Sequence, residues 1–225
     1  GSHTRVLQNL SYTFDFGFFE LVTTLLAGGV LYFFNKQAIS DANEYVDFIN
    51  RHRIDTIHTT PSFFINIIGL SRELTPVKLL HFGGERLTGK MVREVSGKIG
   101  KPGYIYNGYG PTETTINSAI YSMRVEESGI VRVPDNIPIG KPSANNTIYI
   151  CDANGNLQPP GVSGELYIGG GSVSRGYINR PELTAEKFDR DLWDYRDSLD
   201  EKLLQGVQAP RRGEPISSDS MRCCP

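Results

Sequence analysis
No apolar run in this chain reaches the roughly 20 residues that a membrane-spanning helix needs. The best candidate, residues 14–34, is interrupted by Asp15, Glu20 and glycines. An excess of one charge is also lacking: a formal net charge of −2 argues against general affinity for nucleic acid or an anionic membrane, and leaves small molecules and other proteins as the expected partners. Cysteine is scarce. Cys151, Cys223 and Cys224 are odd in number, show no metal-ligand spacing, and include an adjacent pair that rarely frames disulfides, so a reducing cytoplasm is the expected compartment. The four histidines, His3, His52, His58 and His81, are scattered, with no His-x-x-x-His zinc pattern. Gly169-Gly170-Gly171 lacks the Gly-Lys-Ser/Thr ending and following helix of a P-loop, and reads as structural. Internal repeats are absent.

What remains is a chain of 225 residues, 39% apolar and 21% charged, long enough to bury a real core as one large domain or two small subdomains. Gly1-Ser2-His3 reads as a tag remnant, so the natural sequence is expected to begin near Thr4. Residues 4–10 form a strand candidate. Phe18, Phe19, Leu21, Val22, Leu25 and Leu26 surround most of a helix, predicting a buried one, and residues 30–34 predict a strand buried on both faces. Ser40-Asp41 can cap a helix carrying Ala42, Tyr45, Val46 and Ile49 on one face. Pro61 opens another with Phe63, Phe64, Ile67 and Ile68, and Thr88 a third with Met91, Val92 and Val95. With strands at 54–58 and 77–82 between them, this rhythm predicts a parallel α/β sheet over residues 4–122. Residues 123–188 change character: short strands at Val131-Arg132-Val133-Pro134, 138–142, 149–151 and 166–168 alternate with turns, which predicts an antiparallel, barrel-like part. The subdomain boundary is expected near 122–137, and residues 189–225 read as a disordered or atypical tail.

The chemistry concentrates in Asn107-Gly108-Tyr109-Gly110-Pro111-Thr112-Glu113-Thr114-Thr115-Ile116, which follows the extended Tyr104-Ile105-Tyr106. Two glycines let the backbone approach a ligand, and an aromatic face, amides, hydroxyls and a carboxylate are gathered at one strand end. By spacing alone this is equally an ordinary Gly/Pro turn. Asp15, set between Phe14 and Phe16, is either a carboxylate at the edge of an apolar pocket, suited to an amine, or a solvated or helix-capping aspartate.

Asn107-Gly108-Tyr109-Gly110-Pro111-Thr112-Glu113 resembles the adenine- and magnesium-binding signature of the adenylation domains of nonribosomal peptide synthetases, in the wider adenylate-forming superfamily. Phe14-Asp15-Phe16, Phe82-Gly83-Gly84-Glu85-Arg86-Leu87, and the run from Gly164-Glu165-Leu166 through Arg175-Gly176-Tyr177 to Phe188 agree in order and distance. The resemblance covers residues 4 to about 188. It implies a flavodoxin-like parallel-sheet subdomain followed by part of a small antiparallel β-barrel-like subdomain. It also implies activation of an amino acid as aminoacyl-AMP with ATP and Mg2+, and loading onto a carrier phosphopantetheine thiol.

Residue by residue, the resemblance assigns the substrate ammonium to Asp15, where the usual Phe-Asp-x-Ser has Gly17 in place of serine, and the pocket wall to Phe16, Phe19, His58, His81, Gly83, Gly108, Ile116 and Asn117. It assigns nucleotide contacts to Gly84, Glu85, Asn107, Tyr109, Gly110 and Thr112, the phosphate side to Thr112 and Thr114, the metal to Glu113, and catalysis to Thr112 with Glu113. The family's phosphate loop is expected before residue 4, its ribose-binding aspartate after Phe188, and its C-terminal domain with a catalytic lysine elsewhere; none is found in these 225 residues. Implied partners are carrier and condensation domains, the missing parts of the adenylation domain and a small MbtH-like helper. An acyl-CoA ligase relative shares the nucleotide motif but has no use for Asp15. A catalytically silent binding fragment is the remaining alternative.

Overall fold
The computed structural model describes residues 3–34, 41–68, 73–129, 131–188 and 221–223. They fall into two compact units, Gly1–Tyr109 with Ile120–Gly140, and Gly110–Ala119 with Lys141–Pro225. This division differs from the boundary expected near 122–137: the chain leaves the first unit after Tyr109, returns at Ile120 and leaves again after Gly140. Gly140 has φ of +98°, and a Cβ there would lie 2.0 Å from the Ile120 carbonyl oxygen, so only glycine permits that approach.

In the first unit strands and helices alternate as the apolar periodicity predicts: β1 (Arg5–Gln8), α1 (Asp15–Leu26), β2 (Val30–Phe33), α2 (Ala42–His52), β3 (Thr56–Thr59), α3 (Pro61–Ile68), β4 (Leu79–Phe82), α4 (Gly89–Ser96) and β5 (Gly103–Tyr109); a further strand that the sequence did not suggest, β6 (Ala119–Val125), follows. The strands order as β2-β1-β3-β4-β5-β6, and the first five pair in parallel, which is the flavodoxin-like arrangement. Local chemistry sets the helix starts. The Asp41 carboxylate accepts from the Asn43 and Glu44 amides at the head of α2, and Thr88 Oγ1 accepts from the Met91 amide at the head of α4. Ser40, the other half of the expected α2 cap, lies outside the described residues. Arg53, at φ 53°, closes α2 in the left-handed region.

Strand alternation sends two rows of side chains to opposite faces of the sheet. Ile57, Leu80 and Ile105, in register, are fully buried in one cluster with Tyr45, Val46 and Ile49 of α2, Phe64 and Ile67 of α3, and Val92 and Val95 of α4. Each such burial contributes about 1.5–3 kcal/mol. One residue along, His58, His81 and Tyr106 form the row on the other face, where the rings of Phe16 and Phe19 from α1 meet the histidines.

Three expectations are corrected here. α1 is not buried all round: Phe16, Gly17, Glu20 and Thr24 face inward while Phe18, Leu25 and Leu26 are exposed. Gly17 stands on that inward side where no side chain fits, since a Cβ there would lie 2.1 Å from the Ser11 carbonyl oxygen. β2 is not buried on both faces but sits at the sheet edge with Val30 and Phe33 exposed. Residues 131–134 form no strand. Pro134 lacks an N–H, and the chain beside it is held instead by Gly89 N donating to the Asp135 carbonyl at 2.8 Å and by Arg93 with the Asp135 carboxylate at 2.8 Å.

The second unit contains β7 (Lys141–Pro142), β8 (Asn146–Cys151), β9 (Glu165–Gly170), α5 (Pro181–Lys187) and β10 (Met221–Cys223). β8 and β9 form an antiparallel hairpin in register from Asn146↔Gly170 to Cys151↔Glu165, with Cys151 and Tyr167 buried against Tyr149 and Leu157. β10 runs parallel to β9. The rest of the tail, residues 189–220 and 224–225, lies outside the described residues. Among the described residues no helix is long and apolar enough to cross a membrane.

Candidate functional site
The first unit brings five of the sequence-predicted residues into one constellation. His58 and His81 are Cα partners on adjacent strands, and their Nδ1 atoms lie 3.1 Å apart, so one ring donates and the other accepts. Phe16 stands edge-on to both, with ring centroids at 5.8 and 5.1 Å, and Phe19 likewise at 5.3 and 5.8 Å. Gly83, just past β4, leaves room for Phe16: a Cβ there would sit 3.1 Å from Phe16 Cε1. Asp15 is half-buried in the first turn of α1, where the helix dipole favours a carboxylate, and it shares a helical face with Phe19 four residues on. The N-cap position itself belongs to Phe14, which makes no side-chain cap.

Burial strips both imidazoles of solvent. It pulls the His58 pKa down to about 4 and that of His81 to about 3, the latter helped by the neighbouring His58. Both rings are therefore neutral at pH 7. His81 Nε2 is buried with no hydrogen-bond partner among the described residues, an unsatisfied polar atom of the kind native interiors rarely keep.

Other predicted residues of this unit have visible structural employment. The Glu85 carboxylate accepts from Ser62 N at 3.0 Å and Ser62 Oγ at 2.8 Å, at the head of α3. Asn107 is buried and donates through Nδ2 to the Pro138 carbonyl at 3.0 Å. Gly84 is exposed with φ of +78°, Gly108 is buried, and Tyr109 is half-buried at the end of β5.

In the second unit, Thr112–Thr114 form a single 3₁₀ turn. Thr112 is exposed on it; Thr114 is fully buried, its Oγ1 2.5 Å from Ser118 Oγ, so its hydroxyl shapes the loop. Gly110 is required by close approach, because a Cβ there would lie 2.5 Å from the Ile116 carbonyl oxygen. Thr115 and Ile116 both have positive φ, 56° and 78°, a conformation costing β-branched residues about 1–3 kcal/mol each and typical of ligand-binding loops. The loop is held by the rest of its unit: Ser174 N donates to the Glu113 carbonyl at 2.8 Å, Thr115 Oγ1 to the Ser172 carbonyl at 2.6 Å, and the Tyr177 hydroxyl to Glu113 Oε1. Asn117 Nδ2 is buried without a partner among the described residues.

Sequence reasoning missed Glu20 and Asn9, which lie buried beside the histidine pair, and assigned no role to Tyr177. A lone carboxylate inside the apolar run 18–26 was the one available signal for Glu20. Among the described residues no group of three or more His, Cys, Asp or Glu side chains could hold a metal by itself.

The chain matches the family model described as AMP-binding enzyme over residues 1–178. It is 40% identical to tyrocidine synthase 3 of Brevibacillus parabrevis over 186 residues, 82% of this chain and 3% of that protein. It is 37% identical to bacitracin synthase 2 of Bacillus licheniformis over 190 residues, 82% of this chain and 7% of that protein. The chain thus spans a small part of the synthases it matches. Its fold is similar to that of a four-domain nonribosomal peptide synthetase bound to AMP and glycine, with a TM-score of 0.71 and 31% identity, covering 83% of this chain and 13% of that one. The Vibrio cholerae adenylation domain AlmE in complex with glycyl-adenosine-5'-phosphate is similar at a TM-score of 0.70 and 26% identity, covering 84% of this chain and 36% of that one. The chain belongs to the AMP-binding enzyme family, alongside the adenylation domains of nonribosomal peptide synthetases.

Proposed function
We propose that this chain recognises an amino acid and serves its ATP-dependent activation as aminoacyl-AMP, with pyrophosphate released and the aminoacyl group passed to a carrier phosphopantetheine thiol. The observation that carries the reading is the ring constellation of Phe16, Phe19, His58 and His81 on one sheet face, with Asp15 at the head of the helix that supplies the phenylalanines. Asp15 pairs with the substrate ammonium, a role for which a half-buried carboxylate is suited because a neutral acid offers it no counter-charge. The paired histidines, neutral at pH 7, offer one donor and one acceptor and no cation. They favour a medium or large neutral side chain with a hydroxyl or amide over an acidic one.

The family resemblance extends the proposal to Gly108, Ile116 and Asn117 for the amino acid, and to Gly84, Glu85, Asn107, Tyr109, Gly110 and Thr112 for the nucleotide. Glu113 is the proposed magnesium ligand. The fit is chemical: a small hard cation takes oxygen donors and is commonly held by one carboxylate plus substrate phosphates, and Glu113 is a half-buried carboxylate already oriented by Tyr177. When bound, magnesium would offset charge building on the phosphates. Positioning and charge neutralisation are the rest of such a reaction, and carrier and condensation domains and an MbtH-like helper are the proposed partners. The chain's own phosphate-side groups are few, so the isolated 225 residues are expected to bind amino acid without exchanging pyrophosphate at a useful rate.

The test is an amino-acid panel, read by calorimetry on this chain and by pyrophosphate exchange in a complete adenylation domain carrying it. One neutral, polar amino acid should lead. Asp15→Ala should erase the preference for that amino acid over its hydroxy-acid analogue, a loss of about 2–5 kcal/mol. Equal discrimination by the variant, or a panel with no amino-acid dependence, would overturn the proposal.

A further inference from the structure
Past the end of β1 the chain converges on a carboxylate that the proposed chemistry leaves unused. Glu20 is fully buried on α1. Its Oε2 accepts from Gln8 Nε2 at 2.6 Å and from the Leu10 amide at 3.2 Å, and its Oε1 accepts from Asn9 Nδ2 at 3.0 Å. Asn9, itself buried, also donates through Nδ2 to the His58 carbonyl at 2.7 Å, and its Oδ1 accepts from the buried Tyr45 hydroxyl at 3.0 Å. One amide thus joins the helix bearing Phe16 and Phe19, the strand bearing His58, and α2 behind them. Phe16 and Glu20 are four residues apart, on one helical face.

Stability alone does not account for this arrangement, because a well-packed apolar residue commonly fills such a place at less cost than a buried carboxylate. Hydrogen bonds add what apolar packing lacks, namely direction. The bond from Asn9 to the His58 main chain fixes that residue against the helix; the bond from Asn9 to Glu20 fixes the helix against the strand end. We propose that Glu20 and Asn9 are positioning residues that set the spacing between the Phe16/Phe19 side and the His58/His81 side of the amino-acid site. The proposal rests on the preceding reading for the word amino acid, though not for the geometry.

Two variants separate this role from plain structural support. Glu20→Gln keeps size but turns an amide N–H2 toward donors on one side or the other, and Asn9→Ala removes the hub. On the 225-residue chain, long-range 15N–1H correlation reads the His58 and His81 ring nitrogens, and calorimetry reads the panel of proteinogenic L-amino acids. In the parent chain one Nδ1 should carry a proton and its partner none. Each variant should shift or broaden these ring signals, while amide signals from α2 to β5 persist, and affinity for the preferred amino acid should fall about tenfold with the panel flattened. The double variant should be no worse than the worse single, because both changes cut one path. Unchanged ring signals in both variants overturn the proposal, as does global unfolding of both, which would mark the network as structural support. If the parent chain binds no amino acid, the preceding reading fails, and the ring signals by themselves still decide the positioning role.

Discussion
Leu80 and His81 are neighbours in β4 and point to opposite faces of one sheet, and those faces are filled by opposite rules. On Leu80's side the row Ile57, Leu80, Ile105 is closed by α2, α3 and α4 with apolar side chains. On His81's side the row His58, His81, Tyr106 meets α1 with two phenylalanine edges, a buried carboxylate, two imidazoles deprived of solvent and one nitrogen with no partner among the described residues. The first face supplies stability. The second spends some of it, and unsatisfied or desolvated groups held together by the surrounding fold are what a recognition site requires and a core avoids.

That contrast can be broken by substitution. Leu80→Ala should cost about 2–5 kcal/mol in urea unfolding, the range for truncating a fully buried leucine. His81→Leu should cost less, under about 2 kcal/mol, because it conserves much of the volume and removes the orphan Nε2 while leaving His58 Nδ1 without the ring that partners it at 3.1 Å. It should nonetheless abolish the preference for a polar amino acid. Comparable stability losses at the two positions would erase the distinction between the faces.

Acid should sharpen the contrast. His58 and His81 have pKa values depressed from about 6.5 to about 4 and about 3, so below pH 6.5 the unfolded chain binds protons that the folded chain refuses. Stability is therefore full above pH 6.5 and falls as pH drops toward 4, with a slope of up to about 1.4 kcal/mol per pH unit for each group. Urea midpoints at pH 7, 5.5 and 4 should show this, and His81→Leu should flatten the curve where Leu80→Ala only lowers it. A smaller effect, about 1 kcal/mol, is expected from Gly83→Ala, whose new Cβ presses on Phe16 and should narrow the amino-acid panel toward smaller side chains. Smallest of all, Leu26→Ser on the exposed side of α1 should stay within about 0.5 kcal/mol in the same unfolding assay, as an ordinary surface change would.

Much of the fold was legible because its signals are local. Tyr45, Val46 and Ile49 recur at helical spacing, Asp41 and Thr88 sit where a cap must, Pro61 opens α3, and the βα rhythm leads to a parallel sheet. The candidate residues were also nameable, since Phe16, Phe19, His58, His81 and Gly83 belong to recognisable stretches, and the tertiary structure does bring those five together. Their assignment to an amino acid comes from the resemblance, not from periodicity.

Other features were out of reach of any window along the chain. The apolar run at 18–26 reads as a buried helix, but the residues that face inward are Phe16, Gly17, Glu20 and Thr24. Phe33 reads as core and lies exposed because strand order puts β2 at the edge. Nothing local tells that Thr115 and Ile116 take left-handed backbone, which the surrounding loop contacts enforce. Residues 9, 20, 45 and 58 become one hydrogen-bonded network only once β1, α1, α2 and β3 are stacked. Sequence by itself determined most of the helices and parallel strands of the first unit and where their caps fall, because torsional preference and apolar spacing act over a few residues. Tertiary structure decided which face of each segment is buried and which polar groups meet, because burial and hydrogen-bond satisfaction are settled by neighbours distant in the chain.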